Sequence, residues 1–265
     1  MPLPESSDAG YPPVTPVEQT GRSGFPSPQP ERPVMVTINQ EPVTPWVSYG
    51  LIALTGLVFI LQYVSQFLLG GDIPAALGMK VNDAIRNGEI WRLITPVFLH
   101  GSLLHIGFNL YALYMIGPGL ERHYGRTRFL MVYFLSAFGG NIFSYILSPN
   151  PSLGASTAMF GLIAAQAIFI YRNRFLFGAR SKSMLVNIAG ILLVNLILGL
   201  SPGIDNWGHM GGLFSGLAFS WFAGPRLVVS HNERGYFLLD KTPNRQPWVT
   251  VLVEGFFLAG LAVLL

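Results

Sequence analysis

The sequence predicts an all-α fold, a polytopic bundle of transmembrane helices, and three observations carry that expectation. Of the 265 residues, 51% are hydrophobic and only 11% are charged, whereas a soluble domain coats itself with about a quarter charged residues. Seven apolar segments recur, near residues 47–69, 103–117, 129–148, 156–171, 184–200, 207–223 and 249–265. The basic residues between them fall on alternate sides, as the positive-inside rule expects of a membrane protein.

Taken in order, residues 1–46 hold more than half of the 20 prolines and show no hydrophobic period. Such a stretch cannot support a packed core, so a disordered cytoplasmic tail is expected. It lacks a charged n-region followed by an apolar h-region, so no cleavable signal peptide is expected. Span 1 leads into a long loop, 70–101, containing Trp91, Pro96 and the cluster Val97-Phe98-Leu99. A long structureless loop is unusual in a compact fold, so this one is expected to fold partly into the interface with Trp91 at headgroup level. Spans 2 and 4 are shorter than the roughly 20 residues that cross the hydrocarbon core. They are expected to start inside the membrane or where the bilayer thins. Spans 1 to 6, residues 47–223, form the core; 224–248 reads as a cytoplasmic linker, and 249–265 as a seventh transmembrane helix.

Charge sets the direction. Arg122, Arg126 and Arg128 follow span 2, Arg172, Arg174, Arg180 and Lys182 follow span 4, and Arg226, Arg234, Lys241 and Arg245 follow span 6. Arg22 and Arg32 lie in the tail, and the other side has only Lys80, Arg86 and Arg92. The N-terminus is therefore expected in the cytoplasm and the C-terminus outside, in what is expected to be a bacterial cell membrane. The same bias explains the net charge of +3 without a nucleic-acid partner. The absence of cysteine removes disulfides, a thiolate nucleophile and Cys-based metal sites.

Polar residues at membrane depth are costly and mark function, and three groups gather at the outer ends of spans 2, 4 and 6. Gly154-Ala155-Ser156-Thr157 opens span 4 after the turn-forming Ser148-Pro149-Asn150-Pro151. A serine there lies at a helix N-terminus, whose free N–H groups favour negative charge; simple capping of the helix is the competing role. Asn206-Trp207-Gly208-His209 opens span 6, and at 100° per residue His209, Gly212 and Gly216 share a face. Small residues at four-residue spacing let helices approach closely, and span 4 offers Thr157, Gly161 and Ala165. In span 2, His105 and Asn109 share a face that could donate to an oxyanion, with His100 expected to point about 140° away. Metal binding is the rival for the histidines, but they are expected to diverge and no carboxylate accompanies them. A nucleophile, a base and a donor face at one depth could form a single site.

At these residues the sequence closely resembles the rhomboid family of intramembrane serine proteases. The shared features are Trp91-Arg92 in the first loop, His100, His105 and Asn109, Gly154-x-Ser156, and His209 with Gly212 and Gly216, in family order. The resemblance implies a six-helix core, here with a seventh helix added. It also implies a Ser156–His209 dyad, an oxyanion hole from His105, Asn109 and the Ser156 N–H, and no metal or nucleotide cofactor. Substrates would be transmembrane segments of other proteins, cut near the outer face of the bilayer. Two positions depart from the family: Thr157 stands where glycine is usual, and Phe160, able to pack beneath the imidazole, where tyrosine is common. Asp205 is expected to be solvated in a short outer loop, and neither it nor Glu254 receives a role. The competing functions are a catalytically inactive rhomboid-like membrane binding protein and a transporter. The latter lacks charged spans and a two-half repeat.

Overall fold

The computed structural model of the protein describes residues 44–233 and 235–264. The expected disordered tail, with Arg22 and Arg32, lies outside the described residues apart from its last three positions. Seven helices of 17 to 24 residues occupy the seven apolar segments. They are α1 (Trp46–Leu69), α4 (Leu103–Tyr124), α5 (Arg126–Leu147), α6 (Ser156–Arg172), α7 (Arg180–Leu198), α8 (Asn206–Ala223) and α9 (Gln246–Leu264). The short helices α2 (Ile73–Gly78) and α3 (Asn82–Arg86) and two 3-10 turns fill the first loop. Five of the seven long helices, α1, α4, α5, α7 and α9, are long and apolar enough to cross a membrane. The chain is a helical, multi-pass membrane protein.

The two long helices outside that set, α6 and α8, carry the candidate site. Most of α6 is buried inside the bundle, as is half of α8. Lipid does not dictate the composition of such helices, and α8 can therefore be rich in glycine. Their contact is backbone to backbone. A Cβ at Gly212 would strike the Thr157 carbonyl, and one at Gly216 the Gly161 carbonyl. The predicted small-residue faces of spans 4 and 6 are thus the seam of the bundle. Helix α5 completes this core with Phe129, Val132, Tyr133, Ala137 and Ile142, all fully buried.

Two elements depart from the sequence reading. Helix α4 continues through Pro118 to Tyr124, whereas its apolar run ends at 117. The continuation carries Glu121, fully buried, whose carboxylate accepts the Val47 and Ser48 N–H groups and the Ser48 hydroxyl at 3.1, 2.7 and 2.7 Å. The start of α1, which has no capping side chain of its own, is closed by α4. Residues 224–248 are also not a plain linker. They contain an antiparallel hairpin of β1 (Leu227–Asn232) and β2 (Gly235–Asp240). Two strands alone are marginal in water, and this pair is tied to the helices by Arg128 with Asp240 and by the Leu227 N–H to Asn173 Oδ1 at 2.8 Å.

The first loop folds against the bundle. Arg92, 5% exposed, pairs with Glu89 at 2.7 Å and donates to the Met79 and Ala76 carbonyls at 2.8 and 2.9 Å. Trp91 is half exposed and donates to the Leu77 carbonyl. Lys80 and Ser152 form an antiparallel bridge, binding the loop to the segment that leads into α6.

Candidate active site

The turn into α6 is built by three commitments of backbone. The Gly154 N–H donates to the Pro96 carbonyl at 2.9 Å, and the Ala155 N–H donates to His100 Nε2 at 3.3 Å. Gly154 has φ +132°, a conformation suited to glycine, and a Cβ there would lie 2.7 Å from the His105 ring. Ala155 occupies the N-cap position with no side-chain cap. Ser156 is therefore the first helical residue rather than the cap, and its hydroxyl is free for another partner. That partner is His209: Nε2 lies 2.9 Å from Ser156 Oγ.

Helix α8 delivers His209 from its first turn. Asp205 caps that helix, its Oδ1 accepting the Gly208 N–H at 2.9 Å, so the expectation of a solvated loop aspartate is corrected: the side chain is half-buried and closes a helix end. Phe160, one turn along α6 from Ser156, stacks on the imidazole with ring centroids 4.4 Å apart and planes within 11°. His209 is 7% exposed and its buried Nδ1 has no hydrogen-bond partner among the described residues. No carboxylate therefore orients this ring as in a three-residue triad; stacking and the helix seam hold it instead.

His105, on α4, faces the same corner, and Asn109 lies one turn further along that helix. His105 Nδ1 accepts the Gly101 N–H at 3.4 Å, which in a neutral ring leaves Nε2 as the donor, and that nitrogen is the one beside Gly154. Asn109, 7% exposed, donates one amide hydrogen to the His105 carbonyl at 2.9 Å and keeps a second. The Ser156 N–H belongs to the first turn of α6, where no intrahelical carbonyl reaches it. Two donors of different origin, the Ser156 N–H and His105 Nε2, thus lie at the start of α6, with Asn109 one turn along α4 from His105.

The expectation that His100 points away from His105 is wrong. Their rings meet edge to face with centroids 4.9 Å apart. The helical angle does not apply, because α4 begins after its cap Ser102 and His100 lies in the preceding loop. Burial, reinforced by neighbouring His105, holds the His100 pKa down to about 3. The ring is neutral at physiological pH and can accept the Ala155 N–H as observed. No cluster of three metal-ligating side chains forms among the described residues.

Of the expected supporting residues, Gly154, Phe160 and His100 touch the site directly, and Gly161, Gly212 and Gly216 support it through the seam. Trp91 and Arg92 do not reach it; they organise the first loop. The sequence reading missed Gly140 and Gly208. The branched side chain of Thr157 packs where a Cβ at Gly140 would lie 2.6 Å from its own, and one at Gly208 3.1 Å from its Cγ2. The departure at position 157 is accommodated by two facing glycines. Their signal, small residues in α5 and α8 opposite a large one in α6, is visible only once the helices are paired.

A rhomboid-domain sequence profile matches residues 87–226, the stretch that contains every residue of this site. Among similar proteins, "Rhomboid protease GluP" of Bacillus subtilis (strain 168) is 39% identical over 65% of this chain and 34% of its own length. "RHOMBOID-like protein 1" of Arabidopsis thaliana is 32% identical over 71% of this chain and 51% of its own. "Putative rhomboid protease YdcA" of Bacillus subtilis (strain 168) is 35% identical over 58% of this chain and 75% of its own. The chain spans about half or less of the first two. The match runs through the seam and the serine–histidine contact alike, and on that ground the chain belongs to the rhomboid family.

Proposed function

We propose that the protein is an intramembrane serine endopeptidase that cleaves transmembrane segments of other membrane proteins near the outer face of the bilayer. The observation that carries this reading is the 2.9 Å contact between Ser156 Oγ and His209 Nε2, made at the first residue of α6. Serine is a weak nucleophile until a base takes its proton. His209 Nε2 accepts that proton as Ser156 Oγ attacks the scissile carbonyl carbon. The carbonyl oxygen becomes an oxyanion, held by the Ser156 N–H, His105 Nε2–H and the second amide hydrogen of Asn109. The imidazolium then gives its proton to the departing amine, the C–N bond breaks, and an acyl-enzyme remains. Water attacks that ester with His209 again as base, releasing the new carboxylate and restoring Ser156.

The bias of basic residues supports a cytoplasmic N-terminus and a site at the opposite face. Substrate must reach the site sideways from lipid and unwind there, because a helix hides its carbonyls in hydrogen bonds. The test is a panel of transmembrane reporter substrates in proteoliposomes with the purified protein, reading product masses. Cleavage by the wild type should fall by about 10⁶-fold, to background, in both Ser156→Ala and His209→Ala, with both variants still folded. Turnover near the wild-type rate in either variant would refute the dyad. Folded wild-type protein that neither cuts any reporter nor reacts with a fluorophosphonate would support a non-catalytic, helix-binding role.

A further inference from the structure

Lys80 lies in the first loop between α2 and α3, yet its side chain is fully buried. Its ammonium donates to the Ser148 carbonyl at 2.9 Å and the Asn150 carbonyl at 2.8 Å. Its backbone exchanges hydrogen bonds with Ser152 at 2.9 and 3.1 Å. All of these partners lie on the segment that runs from the end of α5 to Ser156. A cation at that point also meets the negative end of the α5 helix. Asn82 adds a second tie from the same loop, donating to the Tyr145 and Ser148 carbonyls.

An ammonium has three hydrogens, and two are committed to carbonyls. Asp205 pulls on the Lys80 charge electrostatically, without an ion pair between them among the described residues. Asp205 Oδ1 caps α8, whereas its Oδ2 is buried with no hydrogen-bond partner among the described residues. The cation thus grips the approach to the serine helix while it attracts the carboxylate that caps the histidine helix.

We infer that Lys80 is a positioning residue: its buried ammonium draws the 148–152 segment and the Asp205 cap together, fixing from outside the site how far apart the Ser156 and His209 backbones sit. The inference rests on the proposed dyad for its effect on rate, but not for its effect on structure. Lys80 gives the brace a pH dependence. Burial lowers its pKa to about 8, against a smaller upward pull from Asp205, so the charge is present at neutral pH and is lost as pH rises through about 8. The surrounding groups leave the assignment unambiguous. The 148–152 segment carries no titratable side chain, α3 offers the exposed Asp83–Arg86 pair, and Arg92, beside Met79, is paired with Glu89.

The sign of the stability linkage sets this role apart from simple structural support. The folded-state pKa lies below the ordinary value of 10.5, so between about pH 8 and 10.5 the unfolded chain binds this proton more tightly than the folded one. Stability contributed by Lys80 therefore rises with pH in that window, while the brace, and with it kcat, weakens.

The experiment uses the full chain with Lys80→Met and Lys80→Arg. Because the protein has no cysteine, spin labels on Pro149→Cys and Ser201→Cys report the separation of the two segments without reference to activity. In Lys80→Met at pH 7 that distance distribution should broaden, and kcat should fall by up to about 10²-fold, as for a misplaced catalytic group, with KM within twofold. Lys80→Arg, charged at every working pH, should restore the narrow distribution and abolish the alkaline loss of kcat near pH 8. An unchanged distance in Lys80→Met, or an alkaline limb that persists in Lys80→Arg, overturns the inference. Broadening in a protein with no proteolytic activity of its own would uphold the brace and reject the protease reading.

Discussion

Helices α7 and α8 follow one another in the chain and differ by one residue in length, yet they are attached to the bundle in opposite ways. In α8, nine residues are buried, among them His209, Gly212, Ser215 and Gly216, and carbonyls of α6 lie directly against its glycines. In α7 the one buried residue is Ile188, which joins Ile163 and Ile170 in a small satellite cluster. A helix held by backbone fit has one position. A helix held by a few side chains over lipid can shift at small cost, because few buried contacts must be given up. The proposed base His209 sits on the first kind, and the second kind packs at the edge of the bundle.

That contrast can be tested at three scales. The largest effect belongs to the donor proposed to serve the fixed helices from α4. Asn109→Ala should lower kcat by about 10²–10³ with KM little changed; impaired binding at constant kcat would make Asn109 a substrate-positioning group instead. Next, one substitution placed in each helix compares them directly. Gly212→Ala puts a methyl into the Thr157 backbone and should cost about 1–3 kcal/mol of stability and up to about 10² in rate. Gly190→Ala in α7 meets nothing within 4 Å and should be neutral or stabilising by about 0.5–1 kcal/mol through helix propensity. Thermal unfolding in detergent with parallel kinetics reads both, and equal effects would erase the distinction. The smallest effect is selective. Cross-linking α7 to α4 should slow cleavage of transmembrane substrates more than cleavage of short soluble peptides, and an equal loss for both would remove α7 as the route of substrate access.

The helices were legible in the sequence because lipid and close packing write periodic signals, and the candidates Ser156 and His209, which the fold brings within 2.9 Å, stood out as polar groups at membrane depth. The contacts made by loops were not. His100 reaches Ala155 across 55 positions, and Lys80 reaches Ser148 across 68. Neither residue sits on a helix whose period could aim it. Asp205 looked like a solvated loop residue because its capping role depends on where α8 starts. The hairpin at 227–240 was hidden among the basic residues that mark a cytoplasmic linker, although Leu227-Val228-Val229 and Tyr236-Phe237-Leu238 on either side of a polar stretch read as paired strands.

The fit around Thr157 has a consequence for descent. A side chain at position 208 would first meet the Asp205 carboxylate and the Thr157 methyl, whereas one at 140 would meet both Thr157 and the Gly208 carbonyl at 2.7 Å. A lineage that exchanges Thr157 for glycine therefore relieves one of the two crowding side chains at 208 but leaves 140 closed. Space at 208 thus depends on side chains that substitution can exchange, whereas space at 140 is bounded by backbone that it cannot.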